Sequence, residues 1–263
     1  MNMAAVNEPL ISFRSIDLAF GDHLVLGKLS FDIRRGEIVC IVGPSGCGKT
    51  TALRVAAGLI APTRGEVAFA GAAVKGPRRD VAIVFQDYSK ALLPWRTAAG
   101  NVSLALEAMG TPRGERRERI AAHLKRVGLI AYAEKYPSQM SGGMQQRLQI
   151  ARCLAQEPDA LMMDEPFGAL DAMTRQSLQD EMLEIARATK ATIFFVTHDL
   201  EEAIYLGDRV IGLKSHPGRI GIELKVDLPR PRHQVATRES PEFLRLRRKL
   251  YDFIHLTEAG DDR

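Results

Sequence analysis

The segment Gly43-Pro44-Ser45-Gly46-Cys47-Gly48-Lys49-Thr50-Thr51 has residue types and spacing suited to holding phosphate. Its glycines let successive backbone N–H groups converge on phosphate oxygens, and a helix starting where the loop ends adds the positive end of its dipole. Lys49 supplies a point charge to β- and γ-phosphates, and the Thr50 hydroxyl suits Mg²⁺. A second segment, Leu161-Met162-Met163-Asp164-Glu165, is an apolar run closed by two acids. A strand ending in this way puts carboxylates at the carboxyl edge of a sheet, where α/β folds bind ligands. There Asp164 is the expected Mg²⁺ partner, through water, and Glu165 the general base for an attacking water. A third segment, Ser141-Gly142-Gly143-Met144-Gln145-Gln146-Arg147, opens a helix with Ser141 as its N-cap and makes another anion-binding end. One chain needs one phosphate cradle, so a second implies a nucleotide shared between two chains.

These segments need a scaffold. Apolar, β-branched runs predict strands at 10–13, 29–33, 38–42, 67–70, 81–85, 160–163, 192–196 and 210–213. The continuous runs at 38–42, 160–163 and 192–196 suit central strands buried on both faces. Helical patterns at 51–59, 173–189 and 200–206 alternate with them, which implies a parallel sheet covered by helices on both sides. Between 88 and 156 the pattern changes to helices only, at 97–109, 113–127 and 142–155, as in a helical subdomain inserted into an α/β domain. Pro229-Arg230-Pro231-Arg232 breaks the chain. Beyond it an amphipathic helix at 241–256 carries Phe243, Leu246, Leu250, Phe253 and Ile254 on one face.

With these segments in this order, the chain resembles the ATP-binding cassette ATPases, the motor subunits of ABC transporters, over residues 10–228. Gln86 after the 81–85 strand, Pro166-Phe167-Gly168-Ala169-Leu170-Asp171 after Glu165, and Thr197-His198-Asp199 after the 192–196 strand are similar to the family's Q-, D- and H-loops. Phe20, in Ala19-Phe20-Gly21-Asp22, resembles the aromatic that stacks on adenine. Leu93-Pro94-Trp95, Gly142-Gly143-Met144-Gln145-Gln146-Arg147 and the run Glu165–Arg175 are similar to the nitrate/sulfonate/taurine importer subfamily. Met140 stands where the family usually has Leu, a volume-conserving change, and the Gln86–Pro94 segment is about two residues longer than in many relatives.

The resemblance implies an α/β fold: a P-loop NTPase (RecA-like) core with an N-terminal antiparallel β subdomain, the inserted helical subdomain and a short C-terminal helical extension. It implies an ATP-binding domain at 8–230 and an extension at 231–263. ATP and Mg²⁺ are the implied cofactors. Glu165, His198 and Gln86 are the implied catalytic residues, Phe20 and Gly43–Thr51 hold ATP, and Thr50, Gln86 and Asp164 hold Mg²⁺. Ser141, Gly142, Gly143 and Gln145 would complete the site of a second copy, with Asp171 at the dimer seam. Two membrane permease subunits, and indirectly a periplasmic or lipid-anchored solute-binding protein, are the further partners. The place of work would be the cytoplasmic face of the bacterial inner membrane.

Charge and composition narrow the alternatives. The 36 Lys+Arg against 32 Asp+Glu leave only +4, too little for a nucleic-acid partner, which needs a concentrated basic face. The basic residues Arg230, Arg232, Arg238, Arg245, Arg247, Arg248 and Lys249 read as a solvated helix face, or else as a contact with a membrane partner or anionic lipid. Cys40, Cys47 and Cys153 offer neither a disulfide framework nor a zinc site and suit a reducing compartment. A bulky thiol reagent on Cys47, inside the phosphate loop, should inhibit, with ATP protecting. Residues 1–10 show no basic stretch followed by an apolar run, so no signal peptide is expected, and no stretch reaches the 18 or more apolar residues that cross a bilayer. Two other readings compete with the importer. One is a cassette protein of DNA repair, chromosome maintenance or ribosome function, although sustained heptads, Cys pairs and a second cassette are missing. The other is the ATPase of a separate-subunit exporter or lipid-trafficking system.

Overall fold

The computed structural model describes residues 8–261, so most of the segment read for a signal peptide lies outside the described residues. Among the described residues, ten strands and eight α-helices form two sheets and a helical layer. Strands β1 (Pro9–Phe20), β2 (His23–Arg34), β4 (Arg64–Phe69) and β5 (Ala72–Ala73) form an antiparallel sheet in the order β2-β1-β4-β5. Strands β3 (Ile38–Val42), β6 (Val81–Val84), β7 (Ala160–Asp164), β8 (Thr192–Val196), β9 (Arg209–Lys214) and β10 (Arg219–Lys225) form the second sheet, in the order β10-β9-β3-β8-β7-β6. Its pairs are parallel except β9–β10.

The run patterns foresaw the central strands but only short pieces of β1 and β2, and missed β5 and β10. The physical reason is the shape of burial. β3, β7 and β8 are buried at every residue, whereas β10 alternates exposed and half-buried positions at a sheet edge, where polar residues hide the strand signal.

The two faces of the parallel sheet belong to two cores. Val39, Ile41, Met162, Phe194 and Val196 point to the antiparallel sheet and to α1 (Lys49–Ala56). There Phe13 and Phe31 stack at 4.3 Å between ring centroids. Cys40, Val42, Met163, Ile193 and Phe195 point the other way, the alternation a strand imposes. That second core is covered by α3 (Ala98–Ala108), α5 (Gly142–Leu154), α6 (Ala172–Thr189) and α7 (Leu200–Leu206). The inserted segment also holds α2 (Tyr88–Ala91) and α4 (Arg113–Arg126). Met140 is buried in this core, as an apolar replacement for Leu should be.

The C-terminal helix α8 (Pro241–Asp261) joins the same core: Phe243, Leu246 and Leu250 are fully buried. Phe253 lies so close over β9 and β10 that a Cβ at Gly212 or Gly221 would meet its ring at 2.5 or 2.4 Å. Arg245, Arg247, Arg248 and Lys249 form an exposed face of α8, as expected, whereas Arg232 is taken out of that face. Arg232 is buried and donates to the carbonyls of Ile204, Tyr205 and Gly207 at the end of α7, satisfying groups a helix end leaves open. Arg230 pairs with Asp208, Arg238 and Arg247 with Glu201, Arg245 with Glu242, and Arg248 with Asp252. Among the described residues no helix is long and apolar enough to cross a membrane.

Candidate functional site at the carboxyl edge of the parallel sheet

β3 ends at Gly43, and the loop that follows leaves no space for side chains at its two ends. A Cβ on Gly43 would lie 2.7 Å from Cys47 Sγ and 2.8 Å from the Leu213 carbonyl oxygen. Gly48, the N-cap of α1, has φ of 93° and would meet Leu26 Cδ2 at 2.6 Å, so only glycine fits without strain. The loop is wedged between β2 and the β9–β10 turn, where Gly27 and Gly218 exchange backbone hydrogen bonds with their neighbours. Lys49 opens α1, is buried, and its Nζ donates to the carbonyls of Gly43 and Pro44, both at 2.8 Å. Neutral carbonyls satisfy its donors but not its charge, which phosphate oxygens would.

Beside it, Thr50 Oγ1 donates to Asp164 Oδ1 at 2.8 Å. Burial pushes the Asp164 carboxyl above its usual value, and the Thr50 hydrogen bond pulls the other way. A buried acid with one hydroxyl partner at the mouth of the phosphate loop fits Mg²⁺. Among the described residues no cluster of three His, Cys, Asp or Glu could hold a metal unaided.

The next residue turns sharply. Glu165 has φ of 44°, and its backbone is held by N–H donation to the Val196 carbonyl (2.9 Å) and by Gly168 N–H donating to its own carbonyl (3.2 Å). A non-glycine residue held there costs about 1–3 kcal/mol and is commonest at functional sites. The turn brings Glu165 Oε2 to 3.0 Å from His198 Nδ1 and 3.3 Å from Gln86 Nε2. Those three side chains come from loops after β7, β8 and β6, so adjacent carboxyl ends of parallel strands supply all of them.

The remaining expected residues lie elsewhere. Phe20 is 55% exposed at the tip of the β1–β2 hairpin, whose second strand backs the phosphate loop. Ser141 caps α5 by accepting from Met144 N–H, and Gln145 braces the turn before it by donating to the carbonyls of Pro137 and Met140. Gly142 opens that helix, and Gly143 abuts α6, a Cβ there meeting Thr174 Cγ2 at 2.5 Å. Asp171 caps α6 by accepting from Thr174 N–H, and the backbone N–H groups hold its carboxyl below the usual range.

Thr197, within the expected H-loop segment, and Arg175, at the end of the 165–175 run, gain partners beside the Glu165–His198 pair, and Glu202 is a further neighbour. Thr197 accepts from Asp199 N–H. Glu202 is buried with its carboxyl pushed up by burial, and takes a hydrogen bond from Gln179. Arg175 donates to the Leu170 carbonyl. Of these, Glu202 alone carried no sequence signal. A hollow of about 530 Å³ lies at the opposite edge of the sheet, with Arg35–Asp159 and Arg230–Asp208 pairs in its walls.

A parallel-sheet core with a glycine-gated phosphate loop and two acids at the next strand's end defines a P-loop nucleotide hydrolase. The chain belongs to the ABC transporter family, whose model matches residues 26–168. It is an ATPase subunit of that family, using ATP and Mg²⁺. It is 44% identical to an aliphatic sulfonates import ATP-binding protein of Burkholderia lata over 98% of this chain and 92% of that one. It is 39% identical to a nitrate import ATP-binding protein of Synechococcus elongatus over 98% and 96%. An uncharacterised ABC transporter ATP-binding protein of Methanocaldococcus jannaschii is 49% identical over 87% of this chain and 84% of its own length. Among solved structures, a dimeric bacterial ABC transporter cassette superposes with a TM-score of 0.72 at 33% identity, covering 82% of this chain and 98% of that one.

Proposed function

We propose that this chain is the motor subunit of an importer for a small anionic or organic solute of the nitrate, sulfonate or taurine type. The observation that carries its catalytic half is the Glu165 carboxylate shared by His198 and Gln86 beside the Thr50–Asp164 pair. In this reading Gly43–Thr51 wrap the triphosphate, Lys49 compensates its β- and γ-oxygens, and Phe20 stacks on the base. Thr50 and Asp164, the latter through water, would hold Mg²⁺ together with Gln86. Bound Mg²⁺ neutralises charge that develops on the transferred phosphoryl group. Glu165 takes the proton of the attacking water and His198 holds the γ-phosphate in line.

Two copies sandwich two nucleotides, Ser141 and Gly143 of one copy facing the γ-phosphate held by Lys49 of the other, with Asp171 at the seam. The dimeric cassette among the structural neighbours supports this arrangement. Gln86 and the stretch to Trp95, a 71% exposed side chain, carry the motion to two membrane permease subunits. The subunit then works at the cytoplasmic face of the cell membrane, and a solute-binding protein delivers the cargo. The importers among the relatives support the direction of transport.

The test is to reconstitute the chain with its membrane subunits in vesicles and screen nitrate, sulfonates and taurine. The reading requires ATPase stimulation that depends on both solute and binding protein. ATP-driven movement of solute or lipid away from the ATPase side, without a binding protein, would establish the exporter reading instead.

A further inference from the structure

Arg175 reaches from the first turn of α6 back over two loops. Its Nη2 donates to the Leu170 carbonyl at 3.0 Å, the residue before Asp171. Its Nη1 lies 3.8 Å from Asp199 Oδ2, the residue after His198. Each loop is fixed at its far end by a helix cap: Asp171 accepts from Thr174 N–H, and Asp199 from Glu201 and Glu202 N–H. Arg175 is thus a cross-tie between loop 166–171 and loop 197–199. It also lines a cavity of about 20 Å³ together with Glu165, Gly168, Thr197, His198 and Asp199. Its Nε is buried with no hydrogen-bond partner, and a space of that size admits about one water.

We infer that Arg175 is a positioning residue: by tying the Leu170 carbonyl to Asp199 it holds His198 in register with Glu165, so that displacement of loop 166–171 shifts the His198–Glu165 contact. This rests on the proposed catalytic roles of Glu165 and His198. A planar guanidinium suits this because one rigid head hydrogen-bonds the Leu170 carbonyl while its charge stays 3.8 Å from Asp199.

The experiment uses the full chain and five variants: Arg175→Gln, Arg175→Lys, His198→Ala, Glu165→Gln and the double variant Arg175→Gln/His198→Ala. Arg175→Gln should lower kcat about 10- to 100-fold with KM for ATP within about twofold. Arg175→Lys, which keeps the charge near Asp199, should lie between it and wild type. Adding His198→Ala to Arg175→Gln should cost less than His198→Ala costs alone, because residues that act as a unit are not additive. At fixed pH the ring ¹⁵N shifts of His198 should move in both single Arg175 variants while melting temperatures stay close to wild type. Additive losses, or unmoved His198 shifts with reduced kcat, would overturn the inference. If His198→Ala and Glu165→Gln both turn over at the wild-type rate, the catalytic reading falls instead, and the His198 shifts still decide whether Arg175 positions that ring.

Discussion

His198 Nδ1 lies 3.0 Å from Glu165 Oε2, and the same oxygen accepts the Gln86 amide at 3.3 Å. Sequence separates His198 from Glu165 by 33 residues, and β8 running beside β7 removes that distance. A carboxylate so placed can accept a proton from water while its neighbours hold its orientation. Glu165→Gln keeps the shape and removes the base. Turnover should fall about 10²–10⁴-fold with ATP binding retained, measured by phosphate release and by nucleotide titration. Hydrolysis at the wild-type rate would take the base role away from Glu165.

Cys47 was expected to react with a bulky thiol reagent. The structure buries it, at 1% exposure, with Sγ against Gly43. Labelling should therefore be slow, limited by opening of the phosphate loop, and slower again with ATP bound. A small reagent should outpace a bulky one, read by mass spectrometry of the intact chain. Labelling of Cys47 in the native protein as fast as in denaturant would show that the loop does not shield it.

His123 on α4 is buried with Nδ1 unpartnered, and burial, followed by the charges of Arg126 and Arg119, lowers its pKa to about 4. The unfolded chain, near 6.5, binds the proton more readily. Stability is then complete above pH 6.5 and declines as pH falls towards 4, by roughly 3 kcal/mol at about 1.4 kcal/mol per unit. Urea titrations across that window should show the decline, and His123→Leu should flatten it. An equal slope in both proteins would assign the acid sensitivity to other groups.

Leu250 on α8 is fully buried beside Phe243 and Leu246. Leu250→Ala should cost about 2–5 kcal/mol of unfolding free energy by cavity formation. A chain cut before α8 should expose the core beneath it and aggregate. Denaturant unfolding and light scattering measure the two effects. A variant as stable as wild type would mean that the helix contributes nothing to the core.

The sequence by itself determined the local chemistry. The glycine spacing from Gly43 to Gly48, the acid pair closing β7 and the capping Ser141 are consequences of backbone conformation over a few residues, and periodicity read the buried central strands for the same reason. Only the tertiary structure decided what meets at Glu165 and what happens to the C-terminal arginines. Glu202 looks like an ordinary helix residue, and the motif residues Arg175 and Thr197 show no partner, until β7 and β8 lie side by side. Arg232 reads as solvated until α7 ends against it with open carbonyls. The physical reason is range. A turn or cap is settled within four or five residues, whereas the partner of a long charged side chain depends on which helix end the whole fold brings beside it.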